Sequence, residues 1–161
     1  MNVREKLAEL GLTLPQAAAP VAAYVPAVRT GNLVFTAGQL PLVDGKIPYV
    51  GKTGGAVTPE QAKEMAQVCV LNALAAVDLV ADVDQIERIV RLGGFVNGVP
   101  GFIAVPAVVN GASELLIKIF GDVNGKHART AVGVAELPLD APVEIEMIVQ
   151  LKTHVIKNFF I

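Results

Sequence analysis

The segment "HARTAVGVAELPLDAPVEIEMI", residues 127–148, sets one guanidinium, Arg129, among small residues and two carboxylates, Glu144 and Glu146, on the run that follows. Side chains alternate across a strand, so Arg129 shares a face with Ala131, Gly133 and Ala135, which leave open volume beside it. On the next run Val143, Ile145, Met147 and Val149 form an apolar face, and Glu144 and Glu146 point together to the other side. Two readings fit. Either the glutamates are solvated and Arg129 makes a surface ion pair of little energetic weight, or Arg129 receives the carboxylate of a small molecule. The second uses the planar fork of arginine, which donates two parallel charge-assisted hydrogen bonds where lysine offers a point charge. A carboxylate within reach could then move a proton to or from water.

Other groups offer less. "GKIPYVGKT", residues 45–53, resembles a phosphate-binding loop, but five residues separate its glycines where that loop has four. The helix signal waits until Thr58, so no free N–H groups face an anion at Lys52 and Thr53, and a plain surface loop is the expectation. His127 and His154 lack a helical histidine pair or a cysteine partner at ligand spacing, so no metal is expected. Cys69 lies in mid-helix among apolar neighbours and reads as a core residue. No serine elbow or Cys-His arrangement is present for nucleophilic catalysis.

The elements that must hold these groups follow from local signals. Val3, Leu7 and Leu10 recur at helical spacing before Gly11, which gives a short helix over residues 2–10. A proline-punctuated connection leads to two β-rich runs around Gly31 and Asn32, with glycine first as a type II′ hairpin turn requires. Asp44 and Gly45 make a tight turn. Thr58, Pro59 and Gln61 form a capped helix start, and the helix should run to about Val80. "RIVRLGGFV" reads as a strand and "VPAVVNGASELLIKIFG" as a second helix ended by Gly121. Residues 129–137 and 143–152 read as a final hairpin joined by "PLDAP". The order is ββαβαββ, an α+β fold with a mixed sheet packed against two main helices, including one right-handed parallel crossover. If Leu137 pairs with Val143, Glu144 falls opposite Glu136, and seven residues of strand put it ~24 Å from Arg129. One small molecule cannot bridge that, so a joint site has to draw the two residues from different chains.

The bulk properties agree. One domain over residues 1–161 is expected, and 53% hydrophobic against 17% charged residues is more apolar than an ordinary soluble surface requires. Another chain covering part of that surface accounts for the excess. The long uncharged runs are broken by proline, glycine and asparagine, so neither spans a membrane. Glu5 and Glu9 sit where a secretory leader carries no acid, and the single Cys69 suits a reducing cytoplasm, where the protein is expected to reside. A formal charge of −2 and scattered Lys and Arg give no electrostatic footprint for nucleic acid.

Taken in order, Tyr24 ahead of "RTGNLVFTAGQLP", Asn110 in the second long helix, "ARTAV" with Arg129, and "LPLDAPVEIE" with Glu144 resemble the YjgF/RidA family, the reactive-intermediate imine deaminases. The resemblance is strongest over residues 24–150 and points to a longer bacterial branch. It implies a chorismate-mutase-like domain assembled as a homotrimer, with a small-molecule site in each cleft between subunits. It also implies that Arg129 holds a substrate carboxylate, that backbone near Gly38 helps to fix it, and that Glu144 activates water. The implied reaction is hydrolysis of 2-aminoacrylate or 2-iminobutanoate to a 2-oxo acid and ammonia, with no cofactor and no metal. Tyr24 either caps the cleft or is buried and bonded to backbone, and Asn110 either touches the ligand or bonds its own helix. Ala37 stands where many deaminases have serine, Ala131 where several have cysteine and His127 where proline is usual; neither alanine can donate a hydrogen bond, so the pocket is less polar than theirs. Those departures keep open a protein that binds a carboxylate metabolite on the same trimer without turnover. A ribonuclease or translation inhibitor is the third reading, and the sequence pI near 5.7 argues against it.

Overall fold

The protein is described here by a computed structural model covering residues 2–17 and 23–153. The expectations placed on His154 and on the terminal "NFFI" lie outside the described residues.

Three helices are set by their ends. In α1, Val3–Glu9, the Asn2 side chain accepts from the Glu5 N–H while the Glu5 carboxylate accepts from the Asn2 N–H, a reciprocal cap. Gly11, at φ +70°, closes the other end, where the Leu12 N–H donates to the Leu7 carbonyl at 2.8 Å. α2, Pro59–Asp78, begins with the same reciprocal cap between Thr58 and Gln61. α3, Val105–Asn124, does not stop at Gly121 as the sequence suggested. Gly121 takes φ +77° inside it and the chain resumes a turn ending at Gly125. A Cβ on Gly125 would sit 2.7 Å from the Leu116 and Gly121 carbonyl oxygens, so only glycine allows the chain to fold back so closely.

Among the described residues five strands form one sheet in the order β1-β2-β5-β3-β4. β1, Ala27–Thr30, and β2, Leu33–Thr36, make the expected hairpin, with Gly31 at φ +57°. β3, Ile86–Asn97, is antiparallel to β5, Val143–Leu151, and parallel to β4, Ala128–Val134. β3-α3-β4 is therefore a parallel crossover. The expected hairpin between β4 and β5 does not form, because β3 lies between them. The link from β4 to β5 instead makes a 3-10 turn at Pro138–Asp140 and passes over the end of β3.

Both long helices cover one face of the sheet. Val143, Ile145, Met147 and Val149 of β5, with Leu92 and Val96 of β3, pack there against Cys69, Ala73, Val108 and Leu116, all buried. The Gly93-Gly94 pair sets how closely the layers approach. A Cβ on Gly94 would lie 2.6 Å from the Val109 methyls, so α3 rests directly on the β3 backbone. The loop before α2 is not a simple surface loop. Thr53 is fully buried, and the Lys52 ammonium reaches Asn97 Oδ1 at 2.7 Å and Glu136 at 3.1 Å, which stitches the loop to the ends of β3 and β4. No helix of the described residues is long and apolar enough to cross a membrane.

Candidate functional site

Leu92 of β3 aligns with Arg129 of β4 and Met147 of β5, so Arg129 points to the helix-covered face. Phe95, three residues along β3, aligns with Val132 and Glu144 and points to the open face. The two groups thus lie on opposite sides of one sheet. Three residues of offset and two strand spacings separate their backbones by ~14 Å, not the ~24 Å that a β4–β5 hairpin gave. The sheet itself stands between the two side chains.

The predicted site residues fall into two groups. On the helix side, Arg129 Nη1 donates to Asn110 Oδ1 at 2.8 Å and to Ser113 Oγ at 3.2 Å, both from α3. Asn110 therefore bonds Arg129 and not its own helix. Among the described residues no carboxylate pairs with Arg129, which excludes the surface ion pair. Ala131 follows on the same face, half-buried against the core. The second group lies on the open face. Glu144 is half-buried with its carboxylate against Gly38, where a Cβ would collide with Oε1. Ala37 precedes Gly38 and donates its N–H to the Pro26 carbonyl at 2.8 Å, and Tyr24 stands exposed just ahead of that proline. The reading of Tyr24 as a buried residue is thus overturned.

Electrostatics distinguish the two halves. Burial first, and then the charge of Glu146, push the Glu144 carboxyl above its ordinary range, which suits a group that exchanges protons with water. Glu146 is turned toward Arg91, at 3.8 Å. Sequence reasoning missed Ser113 and named His127 only as a departure from the family pattern. Ser113 is the third residue after Asn110, a spacing that puts both on one helix face and could have revealed it. His127 bonds Ser113 at 3.0 Å through Nε2, and its Nδ1 lies 2.7 Å from the Gly125 carbonyl oxygen. His127 lies two residues before Arg129, a spacing that strand alternation puts on the same face.

Residues 4–151 match the YjgF/chorismate mutase-like family, whose description also carries an endoribonuclease label. The chain belongs to this family. The YjgF match brings the sheet order and helix placement under the chorismate-mutase-like fold expected of it. Protein TCP17 of Trypanosoma cruzi is 39% identical over 93% of this chain and 94% of its own length. The 2-iminobutanoate/2-iminopropanoate deaminase of Dermatophagoides farinae is 30% identical over 88% of this chain and 95% of its own. Among solved structures, a protein of unknown function from Agrobacterium tumefaciens superposes with a TM-score of 0.85 at 43% identity, covering 93% of this chain and 92% of that one.

Proposed function

We propose that this YjgF protein hydrolyses small enamine and imine acids to 2-oxo acids and ammonia in clefts between the subunits of a homotrimer. The observation that carries the proposal is Arg129, a cation whose partners are neutral oxygens and whose charge is unmatched by any described acid. A substrate carboxylate supplies that match through two parallel hydrogen bonds. Glu144, its carboxyl raised by burial, takes a proton from water as the oxygen adds to the imine carbon, and the nitrogen gains a proton. Collapse of the carbinolamine expels ammonia and leaves the 2-oxo acid. The imine is already electrophilic, so placing water and moving a proton carry most of the catalysis.

Because the sheet separates Arg129 from Glu144 in one chain, the site needs a second copy to bring the two halves together. Support for that copy comes from the open face, where Val28, Phe35 and Val132 are 53%, 39% and 41% exposed beside Glu144 and Glu146. The outer edge of β4, which pairs with no strand of the described residues, adds a second surface that favours association. The name carried by the 30% identical relative points to the same chemistry. With 2-iminobutanoate generated enzymatically in the assay, wild type is expected to speed release of 2-oxobutanoate and Arg129→Ala to lose at least a hundredfold while keeping its oligomeric state. Rates equal to the spontaneous one for both proteins exclude the reaction.

Ala37 and Ala131 favour a second reading, because neither side chain donates a hydrogen bond to an intermediate. A protein that binds a carboxylate metabolite without turnover shows Arg129-dependent heat of binding for 2-oxobutanoate and no catalysis.

A further inference from the structure

We propose that His127 is a positioning residue for Arg129, acting through the hydroxyl of Ser113. The direction of each hydrogen bond follows from chemistry. The Gly125 carbonyl can only accept, so the imidazole proton sits on Nδ1, which donates to it across 2.7 Å. In the neutral ring Nε2 is then an acceptor, and the Ser113 hydroxyl donates to it across 3.0 Å. With its proton so engaged, Ser113 Oγ offers its lone pairs to the guanidinium, and Arg129 Nη1 donates to it at 3.2 Å.

The neutral ring is the form this surrounding favours. His127 is half-buried, and burial followed by the Arg129 charge lowers its basicity, against the carbonyl of Gly125, which raises it. Lys126 and Arg88 border the cleft beside His127 and are also cationic, Gln150 there is neutral, and from α3 the group it meets is the Ser113 hydroxyl. Glu114, next along α3, is turned to Lys63 at 2.9 Å.

The consequence is a fixed guanidinium. Asn110 and Ser113 both bind Nη1, while Nε and Nη2 have no protein hydrogen bond among the described residues. That leaves the Nε–Nη2 edge, two parallel donors, free of protein acceptors among the described residues and available to a carboxylate. Without His127 the Ser113 hydroxyl loses the acceptor that fixes its rotation, and its hold on Nη1 weakens. The glycine at 125 belongs to the device, because its close approach to α3 aims the carbonyl that fixes the ring. This rests on the reading of Arg129 as the carboxylate receptor, so its test has one measurement that needs no ligand.

The rotation of the Arg129 guanidinium about its Nε–Cζ bond, followed by NMR in the intact oligomer, is that measurement. His127→Phe and Ser113→Ala should each speed it several-fold. Both should also raise the dissociation constant of 2-oxobutanoate by about tenfold, the lower end of what one hydrogen bond to a charged group contributes. The double variant should match Ser113→Ala alone, because the two residues act in series. His127→Gln, which restores an acceptor at the Nε2 position, should return both readings to within twofold of wild type. Wild-type rotation in His127→Phe, additive losses in the double variant, or no rescue by glutamine each overturn the assignment. Should His127→Phe fail to fold, Ser113→Ala and His127→Gln decide it. If wild type shows no Arg129-dependent binding of 2-oxobutanoate, the carboxylate reading fails, and the guanidinium rotation still decides the role of His127.

Discussion

Glu144 is a carboxyl that the fold makes costly to ionise, and function and stability pull on it in opposite directions. Burial and the Glu146 charge raise its folded pKa above the unfolded one, so the folded state binds the proton more tightly. Stability relative to a neutral residue is therefore intact below the ordinary carboxylate range and is lost as pH rises through the raised folded value. Glu144→Gln, neutral at every pH, is expected to melt higher than wild type at pH 8, with the gap closing toward pH 4, and to lose deaminase turnover. A lower melting temperature for the variant at pH 8 would mean that Glu144 is held by a favourable partner. His127 carries the opposite sign. Its folded pKa is depressed below the unfolded value, so stability falls as pH drops through 6.5 toward that lower value. Thermal melts of His127→Gln between pH 7.5 and 5 should show less acid destabilisation than wild type.

At the scale of elements, the close contact of α3 with β3 positions the helix side of the site. Asn110 adjoins Val109 on α3 and Ser113 lies one turn beyond it, and Val109 rests on the backbone of Gly94. Gly94→Ala would place a methyl 2.6 Å from both Val109 methyls, and overpacking of this kind costs about 1–3 kcal/mol. Chemical denaturation should show that loss with an unchanged m-value. Because α3 must lift from the sheet to admit the methyl, the Arg129 hydrogen bonds should loosen with it, and the affinity for 2-oxobutanoate should fall in the same variant. The helix starts, the β1–β2 hairpin and the Asp44-Gly45 turn were legible beforehand, since each is specified by residues within one turn of one another. The β4–β5 pairing was misread because "PLDAP" has the composition of a hairpin link. Its Leu139 and Asp140 both take positive φ, at 57° and 53°, and turn the chain across the end of β3.

For the whole molecule, the decisive feature is that one sheet carries its cation and its raised carboxyl on opposite faces. If each site takes Arg129 from one subunit and Glu144 from the next, Arg129→Ala and Glu144→Gln should complement. Unfolded together and refolded at equal ratio, two inactive variants should recover about a quarter of wild-type turnover, because random assembly pairs the intact halves at one site in four. Turnover absent from the mixture, with mixed oligomers present by mass spectrometry, would place both residues in a site within one chain. The excess of apolar residues pointed to a face that another chain would cover but not to which one. The open sheet face with Val28, Phe35 and Val132 became visible only once β2, β5, β3 and β4 were set side by side.

The sequence by itself determined the parity of each strand: Arg129 with Ala131 and Gly133 on one side, Glu144 and Glu146 together on one side, and the capped helices between. These are consequences of neighbours two to four residues apart. Only the tertiary structure decided that those two sides are opposite faces of one sheet and that Arg129 rests on neutral oxygens of α3. The reason is that parity within a strand is fixed by its own backbone, whereas the relation between β4 and β5 is set by β3, which enters between them from more than thirty residues upstream.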